Sequence, residues 1–305
     1  MNSMNIISAK NISKKYGSVQ ALKDMSFEVG AGEVFGIIGP DGSGKTTLFR
    51  ILTTLLLPDS GNGTVVGYDL VHDYKEIRRR VGYMPGKFSL YQDLSVEENL
   101  KVFASLFDSD IDENYHMIES IYKQLEPFKT RRASALSGGM KQKLALCCAL
   151  IHKPEALFLD EPTTGVDPVS RKELWDVLLE LKQEGVSILV STPYMDEAEL
   201  CDRIALIQDG EFMKIDTPEG IKSAYDQSLW AVSSNSMSKL LKDLRSNHAI
   251  LSTYAFGDAH HLTMEPGFTQ DQLFEFLLEK EHKNIEVHTI QPGIEDCFMQ
   301  LLSSK

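Results

Sequence analysis

Residues Gly39 to Thr46 read GPDGSGKT, the spacing G-x-x-x-x-G-K-[ST]. Those residue types suit one task, the cradling of a triphosphate. Phosphate is held best by backbone N–H groups, and Gly42 and Gly44 let them come close by removing Cβ atoms. Lys45 has the reach and charge for β- and γ-phosphates. The Thr46 hydroxyl suits Mg²⁺, which keeps several waters and takes few protein oxygens. Gly39, Pro40, Asp41, Ser43 and Thr47 complete the candidate loop.

Two further constellations could serve the same chemistry. Ala156 to Leu159 is an apolar run ending in Asp160 and Glu161, with Pro162 stopping the strand. Two carboxylates then sit at the C-terminal edge of a buried strand, where open α/β sheets bind ligands. Asp160 is the natural water-mediated partner of Mg²⁺, and Glu161 is placed to polarise an attacking water. Alone, such a strand end would be two solvated acids; beside a phosphate loop it is a candidate catalytic edge. The segment LSGGM, Leu136 to Met140, leads into a helix-like stretch from Lys141 to Ile151. Ser137, Gly138 and Gly139 thus form a second anion-binding turn, although serine is also a common helix cap. One domain seldom needs two phosphate cradles, so a site shared between two chains becomes attractive.

The elements that must position these residues follow from periodicity. Val34 to Ile38 reads as a buried strand before the loop, and Leu48, Phe49, Ile51, Leu52 and Leu55 recur at helical spacing after it. The first two-thirds of the chain alternates short apolar strands with amphipathic helices. Within it Tyr91 to Leu150 is nearly all helical in pattern, an insertion in an α/β domain. The stretch SLWAVSSNSMS, Ser228 to Ser238, breaks the composition. We therefore expect a nucleotide-binding domain over 1–228, with a helical subdomain at about 91–150, and an accessory domain over 229–305. The tail reads strand 230–232, helix 237–244, strands 250–254 and 261–264, helix 270–278, strand 285–290 and helix 294–302. That βαββαβ order plus one helix predicts a small ferredoxin-like α+β unit. Its His260, His261, His282 and His288 read as surface histidines, because no carboxylate or cysteine joins them at metal-ligand spacing.

Composition narrows the class. The 305 residues are 42% hydrophobic and carry a formal net charge of −13. This disfavours broad contact with nucleic acid or anionic lipid. The basic cluster Arg78, Arg79 and Arg80 reads as a solvated helix end. No run approaches the apolar length of a membrane span and the start lacks a signal-peptide core, so the chain is expected in the cytosol. Cys147, Cys148, Cys201 and Cys297 have no zinc-like spacing and read as reduced core residues.

Together the phosphate loop, LSGGM, FLDEP, the following TTGVDP (Thr163 to Pro168) and Tyr16 before the first core strand resemble the ATP-binding-cassette ATPases. The resemblance spans about Ile6 to Ile221, with the motifs in the family's order. It implies a P-loop NTPase core with a helical subdomain, binding ATP and Mg²⁺ in a head-to-tail dimer. Each ATP would lie between one chain's phosphate loop and the other's Ser137 turn. Tyr16 would stack on adenine, and Asp167 would lie across the dimer contact. The tail, with PGIEDCF (Pro292 to Phe298), looks like the accessory domain of drug-exporter ATPases. Implied partners are membrane-spanning permease subunits and a second cassette, alike or unlike, with the chain peripheral at the inner membrane face. Phe88, Leu90 and Tyr91 are candidate permease contacts or core residues of the insertion.

Two departures stand out. Where the family usually has a glutamine after the strand Val81 to Met84, this chain has Pro85 and Gly86, and Gln92 lies too far along to replace it. Where the family usually has a histidine after Ile188 to Thr192, this chain has Pro193, with neither that side chain nor an N–H. Nucleotide binding is expected to survive, while hydrolysis in this chain's own half-site is expected to be slow. The pattern resembles the first half of tandem exporter ATPases. Rival readings are a non-hydrolysing dimerisation switch and a soluble cassette ATPase acting on ribosomes or DNA.

Overall fold

Buried Met25, Phe27 and Val29 alternate with exposed Ser26 and Glu28, a period of two that makes this stretch a one-sided strand. It belongs to β2 (Val19–Gly30), which forms a hairpin with β1 (Asn5–Tyr16). A computed structural model describes residues 5–87 and 89–303 of the chain. It divides into two units, Met1–Pro218 and Glu219–Lys305.

After the hairpin come β3 (Val34–Ile38), α1 (Lys45–Leu52), β4 (Ser60–Val65), β5 (Tyr68–Asp69), α2 (Tyr74–Arg80) and β6 (Val81–Met84). The insertion holds α3 (Val96–Leu106), α4 (Ile111–Asn114), α5 (Glu119–Leu125) and α6 (Gly138–Leu150). Then follow β7 (Ala156–Asp160), α7 (Pro168–Gln183), β8 (Ser187–Thr192), β9 (Arg203–Gln208) and β10 (Glu211–Asp216). Strands β3, β7 and β8 are buried at every position, as expected of central parallel strands covered on both faces. They lie in a six-stranded sheet of order β10-β9-β3-β8-β7-β6, parallel except at β10. The ends of β6, β7 and β8 therefore fall side by side at one edge. A second sheet, β2-β1-β4-β5, is antiparallel. Expected alternation of short strands with helices thus fails at the N-terminus, where two twelve-residue strands pair locally.

Packing fixes α1 to the sheet. Phe49 of α1 meets Phe158 of β7 edge to face, with ring centroids 6.2 Å apart, and both are fully buried. Such a pair adds about 0.5–1.5 kcal/mol beyond the area it buries. It ties the helix after the phosphate loop to the strand that ends in Asp160. The helix is shorter than its apolar spacing predicts: Thr54 has φ +60°, and Leu55 is 56% exposed.

The insertion is largely helical. Ser95 and Glu98 form a reciprocal capping box at the start of α3, and buried Asn99 bonds both backbone groups of Tyr91. Leu90 is buried and Tyr91 is 53% exposed, so the two residues part company; Phe88 lies outside the described residues. All four cysteines are free and buried. Arg78 to Arg80 close α2, where Arg78 bonds Thr54, Arg80 pairs with Glu76, and Arg79 is largely exposed.

The second unit contains α8 (Pro218–Ser223) apart from its first residue, then β11 (Leu229–Ser233), α9 (Met237–Ser246), β12 (Ile250–Phe256), β13 (Ala259–Met264), α10 (Gln270–Glu279), β14 (Glu286–Ile290) and α11 (Ile294–Ser303). Its antiparallel sheet has the order β12-β13-β11-β14, the ferredoxin-like arrangement. Leu240, Leu244, Leu273 and Leu277 from the helices pack with Val232, Leu262 and Val287. The division falls ahead of the composition break, which coincides with β11; Asp226, between the two, bonds Gln300 of α11 at 2.8 Å. Two histidines expected at the surface are buried. His260 bonds the Met237 carbonyl at 2.7 Å, and His282 lies between Ser234 and Asp243. Neighbours brought together from α9 and adjoining loops supply these partners, which no local spacing reveals. Among the described residues no helix is long and apolar enough to cross a membrane.

Candidate nucleotide site

The phosphate loop follows β3 directly and opens into α1. Gly42 and Gly44 adopt φ +80° and +109°, the left-handed region that disfavours side chains. A Cβ at Gly44 would lie 2.6 Å from the Ala21 carbonyl, so close approach also demands glycine there. Gly44 caps α1 without any capping side chain, which leaves first-turn N–H groups for an anion. Ser43 Oγ is buried without a partner. This cradle fits a phosphate chain.

Lys45 is nearly fully buried. Its Nζ donates to the Gly39 and Pro40 carbonyls at 2.8 and 3.0 Å and pairs with Glu161 Oε1 at 3.1 Å. The ammonium therefore already sits between the loop and the strand edge that carries the carboxylates. A cleft of about 470 Å³ is lined by Tyr16, Gly42, Gly44, Lys45, Thr46, Thr47 and Glu161, among others. Tyr16, 46% exposed at the end of β1, offers an aromatic face at its rim.

Asp160 ends β7 and is 2% exposed; its Oδ1 accepts a hydrogen bond from Ser191 Oγ at 2.7 Å. Glu161 has φ +54°, a conformation costly for a side-chain-bearing residue. Its N–H reaches both the Ser191 carbonyl and the Ser191 hydroxyl, at 3.1 and 3.0 Å. Burial foremost, helped by the charge of Asp160, pushes the Tyr83 phenol up to about 12. Thr46 and Asp160 are the pair that would hold magnesium. Bound there, the ion would offset charge on the β- and γ-phosphate oxygens. Among the described residues no group of three or more His, Cys, Asp or Glu side chains is gathered for a metal. Magnesium in a phosphate site asks for fewer protein ligands than that.

Ser137 caps α6 by accepting from the Met140 N–H at 3.3 Å. Ser137 and Gly138 are exposed, whereas Gly139 is packed so tightly that a Cβ would meet Ser170 Oγ at 2.6 Å. Asp167 caps α7, accepting from Val169 and Ser170 N–H at 3.1 and 3.0 Å. The Ser170 N–H above all holds its carboxyl below the usual range. None of these residues lines the cleft. Gly86, by contrast, sits against the strand end that carries Asp160. A Cβ there would lie 3.0 Å from the Asp160 carbonyl and 3.8 Å from its Oδ2. Pro193 follows β8, half-buried.

Sequence reasoning missed the buttress behind the loop. Gly210 N donates to the Ser43 carbonyl at 3.0 Å, and Gly210 O accepts from Lys23 N at 2.8 Å. Asp209 and Gly210 both have positive φ, the Asp-Gly turn of a tight hairpin between β9 and β10. That dipeptide between apolar strands was the signal that could have found it. Ser191 was missed as well; a polar residue closing an apolar strand beside the carboxylate strand was its only sign.

Fold and site define a P-loop nucleotide-binding protein. Residues 22–164 match the family described as ABC transporter. The chain is 37% identical over 218 residues to the Nod factor export ATP-binding protein I of Burkholderia lata, covering 70% of this chain and 72% of that protein. It is 39% identical over 251 residues to the probable multidrug ABC transporter ATP-binding protein YbhF of Escherichia coli (strain K12). That match takes in 80% of this chain but only 43% of the relative's length. A solved ATP-binding subunit of an ABC transporter superposes with a TM-score of 0.66 at 28% identity, over 72% of this chain and 92% of that one. The chain belongs to the ATP-binding proteins of the ABC transporter family, whose nucleotide is ATP with Mg²⁺.

Proposed function

We propose that this chain is the ATP-binding subunit of a membrane exporter, pairing head to tail with a second cassette and with membrane-spanning permease subunits. ATP binding closes the pair and hydrolysis reopens it. Tyr16, Gly39 to Thr47 and Asp160 hold MgATP, and Glu161 orients the attacking water. Ser137, Gly138 and Gly139 serve the partner's nucleotide, and Asp167 lies at the dimer contact. Their exposure outside the cleft, at Ser137 and Gly138, supports that division of labour. Export is supported by the relatives, one a Nod factor export protein and one a probable multidrug transporter protein. Exposed Tyr91 beside the insertion is the permease contact. The tail, proposed as a domain over 229–305, tunes assembly.

This chain's own half-site hydrolyses slowly. The bare backbone at Gly86 is the observation that carries this reading: a Cβ there would stand within 3.8 Å of Asp160 Oδ2, and glycine presents no side chain beside that carboxylate. Pro193 removes the second polar group. Taking one positioned polar group away from a transition state costs about 2.7–4 kcal/mol, and two such costs need not add. The test is ATP turnover by the chain alone and by complexes recovered from solubilised membranes. Slow turnover alone, with faster turnover when an unlike cassette and a polytopic membrane protein co-purify, is expected. Recovery with ribosomes or DNA and no membrane protein would defeat the exporter reading.

A further inference from the structure

Ser191 stands fully buried at the end of a strand whose preceding residues, Ile188, Leu189 and Val190, are apolar. A hydroxyl in such a place is costly unless its hydrogen bonds are made. Here they are made to the catalytic edge. Parallel pairing of β7 with β8 sets Ser191 directly beside Asp160. Its proton goes to Asp160 Oδ1 at 2.7 Å, and its oxygen accepts the Glu161 N–H at 3.0 Å.

The two oxygens of Asp160 are thereby made unequal. Oδ1 is engaged by Ser191, while Oδ2 is the oxygen nearer the Gly86 position, 3.8 Å from where a Cβ would stand. A carboxylate without that donor could turn and exchange the two. The second bond acts on Glu161, whose left-handed backbone needs outside support.

We infer that Ser191 is a positioning residue of the magnesium site, fixing which Asp160 oxygen is presented and holding Glu161 in its unusual backbone conformation. This rests on the assignment of Thr46 and Asp160 to magnesium. In a chain with Gly86 and Pro193, Ser191 is a polar side chain from the neighbouring strand that still reaches this edge. Partners of this kind, one bond removed from the metal, typically change metal affinity by about 10- to 100-fold when removed.

The test is calorimetric ATP binding by the full chain, in magnesium and in excess EDTA, with Mn²⁺ uptake in the presence of ATP followed by paramagnetic resonance. Ser191→Ala is expected to weaken MgATP and Mn²⁺ binding about tenfold while leaving ATP binding in EDTA unchanged. Ser191→Thr, which keeps the hydroxyl, is expected to restore most of the metal effect. Should the alanine variant not fold, Ser191→Cys fills the site with a slightly larger group and a weaker donor and is expected to show the same metal-selective loss. Equal weakening with and without metal would mean a general packing role and overturn the inference, as would unchanged metal dependence. If the unaltered chain binds ATP no better with magnesium than with EDTA, the metal assignment itself falls, and the inference with it.

Discussion

The two walls of the nucleotide cleft are built differently. On one side the phosphate loop is made of backbone: left-handed glycines, a helix start without a capping side chain, and Lys45 anchored on the Gly39 and Pro40 carbonyls. On the other, Glu161 after β7 contributes a side chain, and after the neighbouring strands β6 and β8 Gly86 and Pro193 stand where the family usually places glutamine and histidine. Holding a triphosphate thus draws on backbone, whereas the cleavage proposed here draws on side chains from other strands. Under that proposal a chain can keep the first complete while the second thins out.

That contrast can be broken most sharply in a mixed complex with an unlike cassette. If, as proposed, the turn serves a partner's stronger site, Ser137→Arg on this chain is expected to abolish nearly all turnover. Glu161→Gln is expected to cost much less. Equal and near-total losses would mean two coupled, competent sites. Next in size is Lys45→Ala, which removes the buried cation that the phosphates would face. MgATP affinity measured by calorimetry is expected to fall by about 100-fold, in line with truncating one member of a buried charge pair. Unchanged affinity would mean the site is misplaced.

A smaller effect sharpens the view of the depleted wall. The double change Gly86→Gln and Pro193→His is expected to raise turnover of the purified chain several-fold. A Cβ at position 86 must first gain a few tenths of an ångström from the Asp160 carbonyl, so the single variants should be measured alongside. Turnover that stays flat in a folded, dimer-forming double variant would place the weakness elsewhere.

The smallest effect concerns the strand that leads to Gly86. His152 stacks on Phe107, with ring centroids 3.8 Å apart, and its Nε2–H donates to the Val81 carbonyl at the start of β6. Burial lowers its pKa from the usual 6.5. The folded protein therefore favours the neutral ring, and the unfolded chain takes up more protons as pH drops below about 6.5. Stability from this group is complete above that value and is lost as pH falls through the folded pKa. Thermal midpoints at pH 7.5 and 5.5 are expected to separate less in His152→Gln than in the unaltered chain, once other titrating groups cancel in the difference. An identical pH response would show that His152 is not the group involved.

Local rules made much of this molecule legible in its sequence. The run Val34 to Ile38 became β3 with those bounds, and Val81 to Met84 became β6, because unbroken apolar runs bounded by turn residues leave few alternatives. The βαββαβ tail was readable from its change of period. The loop Gly39 to Thr47 was readable because its work is done by backbone geometry that glycine encodes directly. Length of α1, the long N-terminal hairpin and the burial of His260 and His282 were not, since each depends on what packs alongside.

Tertiary structure alone decided how the walls meet. Ser191 lies about thirty residues from the adjacent Asp160 and Glu161 in sequence, and only the parallel register of β7 and β8 joins the three into one hydrogen-bonded set. Lys45 reaches Glu161, and Gly210 props the loop at Ser43, for the same reason. Sequence determined the chemical groups and the local conformations that glycine, proline and apolar periodicity enforce. Strand order and register decided which distant groups share a hydrogen bond, because such bonds form only between elements that the core has already brought together.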